Sequence, residues 1–330
     1  MMTIGGKSMR EVLPSARLVA GKARSYLREQ AERRLARPTD QTYLEPVLVR
    51  GPWGRVGSTL VMEMLGTSPE ISFNRTYPCE DRCLSNLQHY LRPLSGASAN
   101  PDGPWLDDPN HLWWLDPAVL GFSIQGTPLN YPELDVDRRS IYAGALRGAW
   151  IAYSKSAAWP GDVQPKFYAE KYGGGSDGLS TAGLRHYMLD LIRDPRDVWC
   201  SVLAFDAKRG YFGFGRHEQQ SEEDYRMSFI EAVRRRLDEM ASTGPDIPAL
   251  VVRYEDLVVD PVGQAKRLAD WLGVKITAQD SLFQEDALSH HRTAPSPQDT
   301  IGRWRRELTP DVNKLFVNEL SAHLERYGYL

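Results

Sequence analysis

The order of short apolar runs and helical patterns along this 330-residue chain predicts an α/β fold with a parallel sheet. Apolar runs of strand length occupy 47–51, 188–192 and 249–253, and a helical pattern follows each of them. This alternation is typical of parallel strands joined by crossover helices. Because 42% of the residues are hydrophobic, the chain can bury one large core, and we expect a single domain.

The first strand leads into a glycine-rich loop within PVLVRGPWGRVGSTLVMEML, residues 46–65. Three residues allow turns that point successive backbone N–H groups at one place: Gly51, Gly54 and Gly57. A helix then starts at Ser58, and its N-terminus, with the guanidinium of Arg55, favours a bound phosphate or sulfate. Kinase loops have lysine immediately before the hydroxyl residue, where this chain has Gly57. A tight strand-to-helix turn without a ligand is the alternative interpretation.

The second strand ends in a charged segment, within YMLDLIRDPRDVWCSVLAF. Arg193 stands at the strand's end, and Ser201 follows eight residues later in the next helix. Both side chains can approach one ligand at the carboxyl ends of the parallel strands. The alternative is that the charges of this segment pair with one another on a helix surface.

Helices follow the strands, and three of them begin with a capping residue and a proline. The starts are Asp194-Pro195, Asp260-Pro261 and Thr309-Pro310. Helical patterns cover 58–66, 196–208, 221–242, 261–272 and 310–326.

Four segments resemble the sulfotransferases that use 3′-phosphoadenosine 5′-phosphosulfate (PAPS). Residues 55–60, RVGSTL, resemble the family's R-S-G-S/T-T-L loop, and 193–201, RDPRDVWCS, resemble its 3′-phosphate site. Residues 250–257, LVVRYEDL, are similar to its Y-E-D-L strand, and 300–307, TIGRWRRE, to the G-R-W segment that closes over the cofactor. The four segments occur in the family's order.

The loop departs from this pattern at two positions. Val56 replaces the usual serine, which removes a hydroxyl but leaves the backbone cradle. Leu60 stands where cytosolic members usually have tryptophan, so the chain is more similar to the bacterial and carbohydrate-type branch.

The resemblance implies a P-loop NTPase-like, doubly wound parallel sheet flanked by helices. It also implies metal-free, in-line transfer of a sulfuryl group from PAPS to a hydroxyl or amine, with release of 3′-phosphoadenosine 5′-phosphate (PAP). The acceptor would be a small molecule, a carbohydrate or a lipid. The residues that the resemblance assigns to cofactor binding are Arg55, Val56, Gly57, Ser58, Thr59, Leu60, Arg193, Ser201, Tyr254, Gly302, Arg303 and Trp304.

Within that set the resemblance implies distinct roles. Arg55 would bridge the 5′-phosphate and the sulfuryl group, and the loop amides with Ser58 and Thr59 would bind the 5′-phosphate. The 3′-phosphate would lie against Arg193 and Ser201. Arg303 and the backbone near Gly302 would complete the 3′-phosphate site. Tyr254 would lie against the adenine.

An acceptor hydroxyl also needs a general base. Glu80 resembles the catalytic glutamate of carbohydrate-type members, although a carboxylate in the first turn of a helix is the alternative. His111 is the second candidate, since cytosolic members use a histidine about that far beyond the loop. Lys171 resembles part of the family's E-K-T-P segment and would lie near the sulfuryl group, but Tyr172-Gly173 replaces Thr-Pro.

With the resemblance, the sequence predicts a basic helical extension at 1–40 and a sulfotransferase domain at 41–330, with an acceptor-binding, variable region at 90–175. Five tryptophans of that region can form acceptor-binding faces or belong to the core: Trp105, Trp113, Trp114, Trp150 and Trp159.

Charge and composition limit the kinds of partner and the location that we expect for this protein. Residues 1–40 hold nine Lys or Arg and four Asp or Glu, so the extension either contacts an anionic membrane surface weakly or packs or frays. No apolar run has the length of a membrane span or a signal peptide, and we expect a cytoplasmic protein. The net charge of −3 argues against nucleic acid, and three cysteines without paired ligands argue against a structural metal.

Two other functions remain open at this point. A P-loop small-molecule kinase would bind ATP with Mg²⁺, and a non-catalytic module would bind PAP weakly or not at all. The oligomeric state stays open.

Overall fold

A computed structural model describes residues 43–76, 78–91, 138–156, 163–173, 177–278 and 292–330 of the chain. All of these residues belong to one compact unit that spans Tyr43–Leu330. The predictions made for 1–40, for His111 and for four of the five tryptophans fall outside the described residues.

Five parallel strands form one sheet in the order β2-β3-β1-β4-β5. The three predicted strands are confirmed as β1, β4 and β5, and two more complete the sheet. Their bounds are β1 (Glu45–Arg50), β2 (Ile71–Ser72), β3 (Phe167–Lys171), β4 (Tyr187–Ile192) and β5 (Ala249–Arg253).

Helices connect and cover these strands. Their bounds are α1 (Ser58–Leu65), α2 (Cys83–Leu91), α3 (Arg138–Ser156), α4 (Asp177–Thr181), α5 (Pro195–Arg209), α6 (Glu222–Ala241), α7 (Tyr254–Val259), α8 (Pro261–Leu272), α9 (Trp304–Glu307) and α10 (Pro310–Arg326), with a 3₁₀ turn at Gln298–Thr300. The five predicted helices correspond to α1, α5, α6, α8 and α10, each within one residue at both ends. Among the helices described here, none combines the length and the apolar character that crossing a membrane requires.

The predicted helix starts are also confirmed. Asp194, Asp260 and Thr309 each accept a backbone hydrogen bond in the first turn of the helix that follows, and each of those helices begins with proline. These side chains satisfy N–H groups that the helix itself leaves without acceptors.

Alternate residues of the central strands enter two different hydrophobic clusters. Val47 and Val49 pack with α5 and α6, whereas Leu48 packs with α3 and α4. In β4, Leu189 joins the first cluster and Met188 the second. Helices therefore cover both faces of the parallel sheet, which confirms the predicted doubly wound architecture.

Trp150, the one described member of the five tryptophans, is a core residue. It is fully buried, and its indole N–H donates to the carbonyl oxygen of Leu44 at 3.0 Å. Of the two alternatives given for this residue, the structure supports the core and not the acceptor-binding face.

The strand order places the glycine-rich loop at a topological switch point. β1 and β4 are neighbours, and the chain continues from β1 to β2 at one edge of the sheet and from β4 to β5 at the other edge. Ligands of open α/β sheets bind at this position.

Candidate functional site

The glycine-rich loop folds tightly against the ring of Tyr254. Gly57, the residue before α1, has φ of +96°, and a Cβ atom on it would lie 2.5 Å from Cδ2 of Tyr254. Any residue other than glycine would be strained here and would displace the tyrosine. No side chain caps α1, so the N–H groups of its first turn have no side-chain acceptor at the cap.

A cavity of about 560 Å³ opens beside this loop. The residues of the loop, the ends of β3 and β4, and parts of α5, α6 and the segment 292–300 line it. One carboxylate, that of Glu80, lines the described walls together with seven cationic side chains: Arg55, Arg82, Lys171, Arg193, Arg235, Arg236 and Arg292. The electrostatic field of such a cavity favours a ligand with several negative charges.

Arg193 lies at the end of β4, where it joins the loop to the C-terminal part of the chain. It is 3% exposed and donates to the carbonyl oxygens of Arg55 at 2.8 Å and Thr300 at 3.0 Å. Its guanidinium carbon lies 4.3 Å from the ring centroid of Tyr254. Its buried Nε has no hydrogen-bond partner among the described residues. The guanidinium thus has a donor that the described part of the chain leaves unsatisfied.

Arg55 contacts α5. Its Nε donates to Oγ of Ser201 at 3.2 Å, and its guanidinium carbon lies 4.3 Å from the ring centroid of Phe205. Oγ of Ser201 is also 3.5 Å from Oγ1 of Thr293. The structure therefore brings the cation of the loop to Ser201, the residue to which the resemblance gave the 3′-phosphate.

Lys171 and Glu80 form a second cluster on the other side of the start of α1. Nζ of Lys171 donates to Oγ1 of Thr59 at 2.9 Å, to the carbonyl of Pro78 at 2.6 Å and to Oε1 of Glu80 at 3.3 Å. Burial lowers the pKa of Lys171, and the charge of Glu80 opposes that shift. Arg82 donates to Oε2 of Glu80 at 2.8 Å. Two of the predicted catalytic residues are thus in direct contact.

Two predicted loop residues direct their side chains into the core. Val56 and Leu60 are buried members of the cluster that covers one face of the sheet, although both also border the cavity. A hydroxyl at position 56 is absent, so the backbone is the polar group that this residue offers to a ligand.

The predicted residues Gly302, Arg303 and Trp304 are held on α5 and do not appear in the described lining of the cavity. Arg303 pairs through Nε and Nη2 with the two carboxylate oxygens of Glu307, at 2.9 Å each. Its Nη1 donates to Oγ1 of Thr293 at 3.2 Å. Their assigned roles at the 3′-phosphate stay predictions.

Asp197 fixes this C-terminal segment, and the sequence reasoning missed it. Its carboxylate accepts the N–H groups of Gly302 at 2.6 Å and Trp304 at 3.0 Å. Burial raises the pKa of Asp197 to about 6, against the lowering effect of these hydrogen bonds. Arg196 adds a cation over the ring of Trp304, with its guanidinium carbon 3.8 Å from the centroid.

Glu170 is the second functional candidate that the sequence reasoning missed. Its buried carboxylate accepts the N–H of Leu84 with both oxygens, at 3.0 and 3.2 Å, and so caps α2. Burial raises its pKa to about 8. The sequence contains one signal that could have identified this residue. Two adjacent charged residues, Glu170 and Lys171, stand in a segment that forms a strand.

The fold and the site define an α/β protein with a doubly wound parallel sheet and a cavity, lined mostly by cationic groups among its charged residues, beside a glycine-rich loop. A family model described as the sulfotransferase family matches residues 187–278, which contain β4 through α8. The resemblance that the motifs predicted is confirmed over these residues.

Solved structures with similar folds include retinol dehydratase in complex with androsterone and the inactive cofactor PAP, at 17% identity, over 87% of this chain and 82% of that one, with a TM-score of 0.44. Mouse sulfotransferase SULT7A1 in complex with PAP is 12% identical over 86% of both chains, with a TM-score of 0.44. The sulfotransferase domain of the Synechococcus PCC 7002 olefin synthase is 18% identical over 86% of this chain and 97% of that domain, with a TM-score of 0.38. A search of curated protein sequences finds no match.

Proposed function

We propose that this protein is a sulfotransferase that moves a sulfuryl group from PAPS to a hydroxyl or amine and releases PAP, without a metal. The observation that carries the proposal is the cavity beside the glycine-rich loop, in which seven cationic side chains accompany one carboxylate. PAPS carries two phosphate groups and a sulfate, so its charge suits this lining. The acceptor is a small molecule, a carbohydrate or a lipid.

The residues present fit the donor at both of its ends. The uncapped start of α1 and the loop amides suit the 5′-phosphate, with Ser58 and Thr59 beside them. The unsatisfied Nε of Arg193 and the hydroxyl of Ser201 suit the 3′-phosphate. Tyr254 lies against both Gly57 and Arg193, so its ring is close to both ends.

The cluster of Lys171 and Glu80 suits the chemical step. PAPS, when bound, supplies the sulfuryl group. Glu80 accepts the proton of the attacking hydroxyl as its oxygen forms a new S–O bond to the sulfuryl group, while the S–O bond to the 5′-phosphate breaks and its electron pair leaves with PAP. The Lys171 ammonium lies between Thr59 and Glu80, where it neutralises charge that grows on the reacting oxygens.

Arg55 serves this reaction from one of two positions. In the described conformation it bonds Ser201, next to the proposed 3′-phosphate site. To bridge the 5′-phosphate and the sulfuryl group, its guanidinium has to leave Ser201 and turn toward the start of α1. Arg55 is a binding residue in the first position and a catalytic residue in the second.

A kinase fits this site less well. Gly57 occupies the position of the kinase lysine, and its left-handed φ and the nearby Tyr254 ring oppose any side chain there. The non-catalytic alternative is opposed by the contact between Lys171 and Glu80, because a module that only binds PAP does not need it.

A cytoplasmic location is also part of the proposal. The three cysteines of the chain, Cys79, Cys83 and Cys200, are free thiols. Burial raises the pKa of each of them, which keeps them protonated and unreactive. Three reduced cysteines suit a reducing compartment.

Calorimetric titration of the protein with PAP, ADP and ATP, with and without Mg²⁺, tests the donor assignment. We expect tight binding of PAP that Mg²⁺ does not change, and much weaker binding of ADP and ATP. A preference for ATP with Mg²⁺ would instead establish the kinase, and no binding of any nucleotide would reject a nucleotide-dependent enzyme.

A further inference from the structure

Three arginines line the cavity at the end where Glu80 and Lys171 lie. Arg82 donates to Glu80 at 2.8 Å. Arg236 donates at 3.0 Å to the carbonyl of Gly173, two residues after Lys171. Arg235 precedes it on α6 and borders the same cavity. All three guanidinium groups therefore border the cavity that also contains Glu80, the proposed base.

The proposed donor does not use these arginines. Its charges are opposed by four other cations of the cavity: Arg55, Lys171, Arg193 and Arg292. At the acceptor end, three guanidinium groups accompany two carboxylates, Glu80 and Glu239, the latter bonded to Arg236 at 2.6 Å. Among the described residues, positive charge remains at this end of the cavity after these pairs are formed.

The exposure of the arginines matches a ligand that binds at the mouth of the cavity. The side chain of Arg236 is 24% exposed and held by two partners, whereas that of Arg235 is 70% exposed and lies 4.0 Å from Glu239. A held guanidinium loses little freedom on binding, and its planar donors match a carboxylate or phosphate. An exposed one attracts anions over a longer distance.

We propose that the acceptor is an alcohol that also carries an anionic group, a carboxylate, a phosphate or a sulfate, and that Arg235 and Arg236, with Arg82, bind this group. The inference rests on the sulfotransferase function proposed above. It narrows the acceptor to a class, because a neutral alcohol offers no negative charge to the three arginines.

The chain supplies a matched control on the same helix. Arg234 directly precedes the two arginines, but it does not line the described cavity. It pairs instead with Glu319 of α10, at 3.1 Å. Reversal of its charge changes the net charge of the protein as much as reversal at Arg235, and does so away from the cavity.

The test uses the full protein saturated with PAP, so that the donor site is filled. Glucose 6-phosphate and glucose are titrated into it at constant ionic strength, and binding is followed by calorimetry. We expect glucose 6-phosphate to bind at least tenfold more tightly than glucose. Arg235→Glu and Arg236→Glu, each made alone, should reduce that affinity tenfold or more, Arg234→Glu less than twofold, and PAP affinity should stay within twofold in every variant.

The outcomes separate this inference from the function on which it rests. Equal binding of the two sugars, or no binding of either, with PAP still bound tightly, overturns the anionic acceptor and leaves the donor assignment intact. An equal loss in the Arg234 variant shows a general charge effect and also overturns it. Failure to bind PAP overturns the proposed function itself.

Discussion

Arg193 gives the sharpest test of the donor site, because its removal should affect one phosphate of one ligand. In Arg193→Ala the guanidinium that lies over Tyr254 is lost, along with its two hydrogen bonds to backbone carbonyls. PAP and AMP differ only by the 3′-phosphate, so AMP is the matched ligand. A charged hydrogen bond that is lost to a phosphate is worth about 2–3 kcal/mol, which corresponds to about 30–150-fold in affinity.

The same substitution should also weaken folding. The carbonyls of Arg55 and Thr300 lose a charged donor each, and hydrogen bonds to charged groups are worth about 1.5–3 kcal/mol. We expect the variant to lose about 3–5 kcal/mol in denaturant unfolding. Arg193→Lys keeps the charge and should lie between the wild type and the alanine variant in both measurements.

The decisive quantity is the ratio of the PAP and AMP dissociation constants, measured by calorimetry on protein that is shown to be folded. A general disturbance of the cavity changes both constants and leaves the ratio unchanged. The 3′-phosphate assignment predicts that the ratio of the PAP to the AMP dissociation constant rises by the full 30–150-fold, since AMP affinity changes little. If PAP and AMP lose affinity equally, Arg193 does not bind the 3′-phosphate.

Three further substitutions test the rest of the site. Glu80→Gln should lower kcat about 100-fold with unchanged PAP affinity, because it removes the proposed base; near-normal turnover would transfer that role to His111 or another group. Gly57→Ala should cost about 1–3 kcal/mol in denaturant unfolding and weaken PAP binding, because φ is +96° and the new Cβ meets Tyr254; unchanged binding would argue against the cradle. Asp197 has a folded-state pKa of about 6 against an ordinary value of 3.8, so its contribution is greatest below pH 4 and falls, by about 3 kcal/mol, as pH rises to 6. Asp197→Asn should abolish that slope in unfolding measured between pH 4 and 7, and an unchanged slope would assign it to other groups.

The parts of the fold that could be predicted are those in which local pattern and tertiary role agree. β1 and β4 are mostly apolar and buried, and the helix after β4 begins with a recognisable Asp-Pro cap. β2 has two residues, too few to show any pattern. β3 was missed for a different reason. Two of its residues, Glu170 and Lys171, are charged although they are buried, so the sequence of this inner strand does not show a continuous apolar run.

The sequence predicts those residues of the site that belong to a single local motif. The loop and Arg193 follow from local residue types and spacing, and the structure places both beside one cavity. The bond between Asp197 and Gly302 joins residues 105 positions apart, so no local pattern reveals it. The orientation of Arg55 toward Ser201 is likewise set by tertiary packing, and a motif specifies only which residue type is present.

β3, the strand that the sequence analysis did not predict, is also the element that organises the candidate catalytic cluster. Successive side chains of a strand point to opposite faces of the sheet, so the two charges at its end cannot share a partner. Lys171 meets Glu80 directly on one face, whereas on the other face Glu170 caps α2, the helix that begins three residues after Glu80. Buried charges of this kind are costly unless each is paired or hydrogen-bonded. Here Lys171 is bonded to Pro78 and Glu80, and Glu170 to Leu84, so these partners lie in the segment around Glu80. The charged residues Glu170 and Lys171, which made β3 hard to recognise from its hydrophobic pattern, therefore hold the segment that contains Glu80 through contacts on both faces of the sheet. Such exceptions to local sequence preference are expected at functional sites.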